Sequence, residues 1–170
     1  FFADIVGFTS AAEGMDPDAL SRFLSTFFTF AADAIFAEGG TLDKFIGDAV
    51  MAFFGAPIVQ PDHARRAVSA AAKLVENVKA WNLERVARGE PPVGVRIGVN
   101  TGRVFTGDFG PSYRRSYRVF GDAINTAARV MSRAQAGQVL ATETVLERSA
   151  TAFETTPIEP FAAKGKSEPI

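Results

Sequence analysis

Leu42 to Gly55 reads LDKFIGDAVMAFFG. It is apolar almost throughout, yet Lys44 and Asp48 sit near its middle. Leu42, Phe45, Ile46, Ala49, Val50, Met51, Ala52, Phe53 and Phe54 predict two short buried strands. Gly47-Asp48 breaks the run where a tight hairpin turn fits. A carboxylate at the tip of a buried hairpin is costly unless it is paired or bound to metal. The plain alternative is an ordinary Gly-Asp turn with a solvated Asp.

The opening stretch, FFADIVGFTS, shifts that balance. Phe1, Phe2, Ala3, Ile5 and Val6 predict an apolar strand interrupted by Asp4, followed by a small loop, Gly7-Phe8-Thr9-Ser10. Two strands, each with one misplaced Asp, suggest neighbours that aim two carboxylates at one point. Oxygen ligands of that kind suit Mg²⁺ or Mn²⁺. Backbone N–H groups of the loop after Asp4 would suit a phosphate. The alternative for Asp4 is a strand-end residue in water.

The remaining chain predicts three long helices and further strands. Asp16-Pro17 pairs an N-cap with a first-turn proline. Leu20, Phe23, Leu24, Phe27, Phe28, Phe30, Ala31, Ala34 and Ile35 follow at helical spacing, up to Gly39-Gly40. Asp62 opens a second helix through Trp81, with His63 in its first turn as a surface or capping residue. Val93 to Asn100 alternates like a strand. Val104 to Gly110 and the stretch around Tyr117 flank a Pro111-Ser112 turn, and Arg114, Arg115 and Arg118 make this the most basic part of the chain. Asp122 leads into a third helix, AINTAARVMSRA, on which Asn125 and Arg129 share a face. A short strand (Val139 to Ala141), a short helix (Glu143 to Arg148) and a tail hairpin from Phe153 to Ile170 complete the expectation. The uneven order of strands and helices favours an α+β sandwich.

Composition narrows the function classes. The 170 residues suffice for one domain, and 47% hydrophobic with 22% charged residues is an ordinary globular mixture. With 18 Lys and Arg against 19 Asp and Glu, a net charge of −1 argues against bulk nucleic-acid binding. Without Cys there is no disulfide or thiolate zinc site, and the lone His63 leaves no Ser-His-Asp triad or multi-His metal site to expect. No apolar run is expected to span a bilayer, and no signal peptide is visible. The chain opens inside a strand without Met, so the expectation is one domain, 1–170, cut from a longer cytoplasmic or membrane-anchored protein.

FADIVGFT, DKFIGDAVMAFFG, IGVNTGRVFTGDFG, YRVFGDAINTAARV and FAAKGK, in this order, resemble the blocks of the class III nucleotidyl cyclase catalytic domain, in its bacterial form. The resemblance implies a ferredoxin-like βαββαβ core with extra strands and helices. It implies a head-to-tail dimer, homo- or heterodimeric, with sites at the subunit interface. The implied reaction turns ATP or GTP into the 3′,5′-cyclic nucleotide and pyrophosphate. Asp4 and Asp48, helped by the Ile5 carbonyl, would then bind two Mg²⁺ or Mn²⁺ ions. Gly7, Phe8 and Thr9 would cradle phosphate, and Arg103 would bind phosphate from the same subunit. From the other subunit Asn125 would orient the ribose, Arg129 would stabilise charge on the α-phosphate, and Lys164 would hold the terminal phosphates.

For the base, the resemblance makes Lys44 and Arg118 the reading positions. Lys44 stands where adenylyl cyclases carry Lys and guanylyl cyclases usually Glu. A Lys donates to adenine N1 but offers no acceptor to the guanine N1–H edge, which favours ATP over GTP. Arg118 replaces the usual Asp or Thr, and an Arg has donors only, so it is expected to turn away to a carboxylate or a phosphate. Two competing classes are a regulatory or pseudo-cyclase domain that binds nucleotide or only dimerises, and a diguanylate cyclase or polymerase-palm relative. The KFIGD hairpin combined with the NTAAR helix speaks against the last.

Overall fold

The structure, a computed structural model, describes residues 1–162 and 169–170. Its first strand, β1 (Phe2–Val6), sends consecutive side chains to opposite faces of the sheet. Phe1, Ala3 and Ile5 enter one buried cluster and Phe2 another, so Asp4 shares the face of Phe2. The expected loop after β1 is instead a one-turn helix, α1 (Phe8–Ala12). Gly7 makes the change of direction at φ 73°, and its carbonyl accepts from Ala11 N at 3.1 Å, closing the first helical turn.

Helix α2 (Pro17–Ala37) starts where its cap and proline predict. The Asp16 side chain accepts from Asp18 N and Ala19 N, at 3.0 and 2.9 Å, a cap worth about 1 kcal/mol. Phe23, Phe27, Ala31, Ala34 and Ile35 form its buried face. At a mean hydropathy of 1.2, α2 is long and apolar enough, by length and composition alone, to cross a membrane, which corrects the expectation that no run reaches that length. Its apolar face packs on the helix and sheet of its own domain, the setting of a core helix.

Strands β2 (Thr41–Ile46) and β3 (Ala49–Phe53) form the expected hairpin. Ile46 pairs directly with Ala49, leaving Gly47-Asp48 as a two-residue loop, with Gly47 at φ 62°. Only β3 is buried. β2 is a sheet edge, and Phe45 and Ile46 are 46% and 50% exposed. Helix α3 (His63–Ala87) follows. Asp62 does not cap it; its carboxylate pairs instead with Arg65 and Arg66. Next come β4 (Gly94–Val99), a separate ribbon of β5 (Phe105–Phe109) and β6 (Ser116–Phe120), α4 (Asp122–Arg133), β7 (Val139–Ala141) and α5 (Glu143–Ser149).

The main sheet has the order β2-β3-β1-β4-β7, with β1 antiparallel to both β3 and β4, and β7 parallel to β4. β1-α2-β2-β3-α3-β4 is the expected βαββαβ core, and α2 and α3 pack together over one face. α4 lies on the other face, over Phe2, Met51 and Val119. Gly98 makes that seat possible: a Cβ there would stand 2.2 Å from Met131 N and 2.6 Å from the Ala127 carbonyl. No strand forms in the tail among the described residues, but Phe161 and Ile170 exchange both backbone hydrogen bonds. Residues 163–168 of the expected tail hairpin, with Lys164, lie outside the described residues.

Candidate active site

Asp4 points from the middle of β1 onto the α4 face, with its side chain 13% exposed. Because β3 runs beside β1, the β2–β3 turn brings Asp48 to the same place. Asp48 Oδ2 accepts from Ile5 N at 3.2 Å. Burial, a hydrogen bond with Asp4 and the charge of Asp4 push the Asp48 carboxyl up from an ordinary 3.8 to about 6. The two misplaced carboxylates of the sequence therefore meet. Directly opposite Asp4 on β4 stands Arg96, whose Nε donates to Asp4 Oδ2 at 3.0 Å; its Nη2 donates to the same oxygen, and its Nη1 to the Ser132 carbonyl.

The donor set fits a hard divalent cation. It is all oxygen, two carboxylates beside a backbone carbonyl, with Asp48 raised by burial and by the neighbouring Asp4. Among the described residues no group of three or more His, Cys, Asp or Glu closes a site around an ion. Such a half-set suits Mg²⁺, which is commonly held by one or two carboxylates together with substrate phosphates and water. At the end of β1, Gly7 turns the chain so that the N–H groups of Phe8 and Thr9 open α1 without intrahelical partners.

The other candidates lie apart. Asn125 and Arg129 stand one turn apart on α4; Asn125 is exposed, and Arg129 is half-buried with its Nη1 enclosed and unpartnered among the described residues. Lys44 stands on β2 with Nζ 2.8 Å from Asp43 Oδ2. Arg118 is half-buried on β6 opposite Gly107. It makes no ion pair among the described residues, so the carboxylate partner expected for it is not found there. Arg103 is not brought beside Asp4 and Asp48 within one chain. It leaves β4 at the end away from Val6 and Gly7, next to Gly121.

Two cavities, of about 350 and 290 Å³, do not gather these residues. The first lies by Phe2, Met51, Asn100 and Ile124, the second between α3 and β7, and no candidate among the described residues lines either.

Three residues were not singled out from the sequence. Arg96 carried a signal, a charged residue inside a strand that must find a charged neighbour. Asp43 carried another, a second charge beside Lys44 that breaks the alternation of β2. Asn100 ties α4 in place by donating to the Ala123 carbonyl at 2.9 Å and accepting from Thr142 Oγ1 at 2.9 Å. Nothing local distinguishes it from any strand-end Asn.

These features agree with what comparison finds. Residues 1–170 match the family described as adenylate and guanylate cyclase catalytic domain, and the chain belongs to that family. It is 32% identical to adenylate cyclase 1 of Rhizobium meliloti (strain 1021) over 168 residues, covering 98% of this chain and 25% of that protein. The chain thus spans about a quarter of the length of that relative. The adenylyl cyclase CyaB from P. aeruginosa superimposes with a TM-score of 0.93 at 33% identity, covering 99% of this chain and 87% of that one. The guanylyl cyclase Cya2 superimposes with a TM-score of 0.92, also at 33% identity, covering 99% of this chain and 85% of that one. The α+β fold with its βαββαβ core is therefore the fold of cyclase catalytic domains.

Proposed function

We propose that this domain converts ATP to 3′,5′-cyclic AMP and pyrophosphate in a site completed by a second cyclase domain. The observation that carries the proposal is the meeting of Asp4 and Asp48 at the end of β1, beside the free N–H groups that open α1. When bound, Mg²⁺ or Mn²⁺ ions held by Asp4, Asp48 and the Ile5 carbonyl would supply activation of the ribose 3′-OH and neutralisation of the triphosphate. The chain's own groups do the positioning. The N–H groups of Gly7, Phe8 and Thr9 receive phosphate oxygens. From the second copy, Asn125 orients the ribose, and Arg129 places a rigid guanidinium beside the α-phosphate. The enclosed Nη1 of Arg129, unpartnered among the described residues, supports that role, since a buried donor without a partner is uncommon. Arg103 and Lys164 are assigned to phosphates by resemblance. Lys44 donates to adenine, and Arg118 leaves the second base contact loose.

A second copy is supported by the surface. Phe105, Phe109, Tyr117 and Phe120 expose 68%, 37%, 41% and 50% of their area on the β5–β6 ribbon, and Ile46 adds to them at the hairpin. Apolar groups gathered on a ribbon in this way mark an interaction surface. A regulatory domain that binds nucleotide without turning it over is the second reading, favoured by the donor-only Arg118.

The test is cyclic-nucleotide output from the purified domain with Mg²⁺ or Mn²⁺ and either ATP or GTP, over a range of protein concentration. Cyclic AMP rising faster than linearly with protein is expected. A folded, dimeric sample with no product from either nucleotide would favour the regulatory reading.

A further inference from the structure

β2 carries one residue more than the part of β3 it faces. Leu42 pairs with Ala52 and Lys44 with Met51, so Asp43 has no partner of its own. Plain alternation sends consecutive side chains to opposite faces, whereas a one-residue bulge re-aims them. Packing identifies the faces. Leu42 and Ala52 join the core under α2 and α3, and Met51 joins the cluster under α4. Beyond the bulge Phe45 stacks on Phe28 of α2, with ring centroids 4.1 Å apart. Lys44 therefore belongs to the α4 face, and Asp43 is turned to meet it: Nζ and Oδ2 are 2.8 Å apart.

The Asp43 side chain is 0% exposed, while that of Lys44 keeps 34%. The contact is an ion pair without an aligned hydrogen bond, and Asp43 Oδ1 has no partner among the described residues. A carboxylate enclosed in this way is costly to leave without a cation, so Lys44 is held at its side. An unanchored Lys on a four-carbon stem samples many positions. This one has a fixed end, half in the protein and half in reach of a ligand.

We infer that Asp43 is a positioning residue for nucleotide-base choice: it anchors the Lys44 ammonium at the β2 bulge and so sets the preference for adenine over guanine. The inference rests on the reading of Lys44 as the base contact. An ammonium has three N–H donors. With its charge held beside Asp43, the ammonium presents its donors from a defined point to the acceptor at adenine N1. The same geometry opposes a guanine-type site. A Glu at position 44 would stand beside the enclosed Asp43 carboxylate on the same face, with the bulge holding both there. A change of base preference at position 44 then needs a change at position 43 as well.

The experiment compares kcat and KM for ATP and GTP in the purified domain. In parallel it measures binding of 3′-deoxy-ATP, which keeps the base but lacks the nucleophile. Asp43→Asn is expected to raise the ATP KM and to weaken 3′-deoxy-ATP binding by about tenfold, the scale of one lost anchored contact. The GTP KM and kcat should stay within about twofold, because neither depends on an ammonium that guanine cannot use. Equal losses for both nucleotides, or no loss, overturn the inference. Lys44→Ala separates it from the reading beneath it. If Lys44→Ala leaves the ATP/GTP ratio unmoved, both fall; if Lys44→Ala moves the ratio and Asp43→Asn does not, only the role of Asp43 falls. Should Asp43→Asn fail to fold, the Glu swap decides. Lys44→Glu alone is expected not to yield GTP preference, and Asp43→Val with Lys44→Glu is expected to yield it. GTP preference from Lys44→Glu alone, or its absence from the folded double variant, overturns the inference.

Discussion

Arg96 and Asp4 face each other across β4 and β1, with Arg96 Nε 3.0 Å from Asp4 Oδ2. The guanidinium binds a single carboxylate oxygen through two of its nitrogens, which orients Asp4 without using its second oxygen. Arg96→Ala should leave a part-buried carboxylate without its cation and cost the metal-free domain about 1–3 kcal/mol. Mn²⁺ should restore part of that loss, so the metal-induced rise in Tm is expected to be larger in the variant than in the wild type. Thermal unfolding of both proteins with and without Mn²⁺ checks this. Arg96→Lys should recover little, because an ammonium cannot reproduce the two-nitrogen contact.

Asp48 provides a prediction with a sign that depends on pH. Its folded pKa of about 6 lies above its ordinary 3.8. The stability it contributes is therefore fully present below about 4 and is lost as pH rises through about 6. At pH 7.5 the metal-free domain carries this carboxylate as a burden, on the order of 1 kcal/mol once the solvent reaching the turn is allowed for. Asp48→Asn should raise the metal-free Tm at pH 7.5 by about 2–4 °C and abolish cyclase activity. The Tm gain should vanish near pH 4. A variant less stable than the wild type at pH 7.5 would contradict this account.

Gly98 holds α4 against the sheet. A Cβ at this position meets the Met131 nitrogen and the Ala127 carbonyl, both backbone atoms that cannot swing aside. Gly98→Ala should lift the helix and cost about 1–3 kcal/mol. Asn125 and Arg129 would move with it, and a shift near 1 Å costs about a hundredfold in rate. Tm and kcat measured together test whether activity falls further than stability alone explains.

A mixing experiment tests the division of labour between two copies. Asp48→Ala should be inactive through loss of a metal carboxylate, and Arg129→Ala through loss of charge stabilisation at the phosphate. Combined, they should regain about a quarter of wild-type output, since half the dimers are mixed and each has one intact site of two. That estimate follows from random pairing in a twofold-symmetric dimer. Mixed dimers confirmed by mass and still inactive would sink the shared site.

The parts of this domain that were legible in the sequence are those fixed by local rules. Gly47-Asp48 announced its turn, Asp16-Pro17 its helix start, and the apolar run of FFADIV its strand. Because Asp4 and Asp48 each broke an apolar run, even their meeting could be expected. What escaped depends on how strands are placed against one another. Whether Arg96 meets Asp4 is a matter of β1–β4 register, and whether Asp43 meets Lys44 is a matter of one unpaired residue in β2. Asp62 looked like a cap, but two arginines within one turn gave its carboxylate a better use. The loop after Val6 became a helix because Gly7 closed a turn that its neighbours, Phe8 to Ala12, were free to continue.

Neither cavity described above is lined by a candidate residue among the described ones, and Asn125 lies exposed on α4. If a second copy completes the site, as proposed, a triphosphate would be sheltered only while two such faces are closed on each other, and output would gauge how near and how well aligned the two copies are. On that proposal, a tether that changes their spacing or twist by a few ångströms would govern the reaction from afar, without touching nucleotide, metal or any residue discussed above.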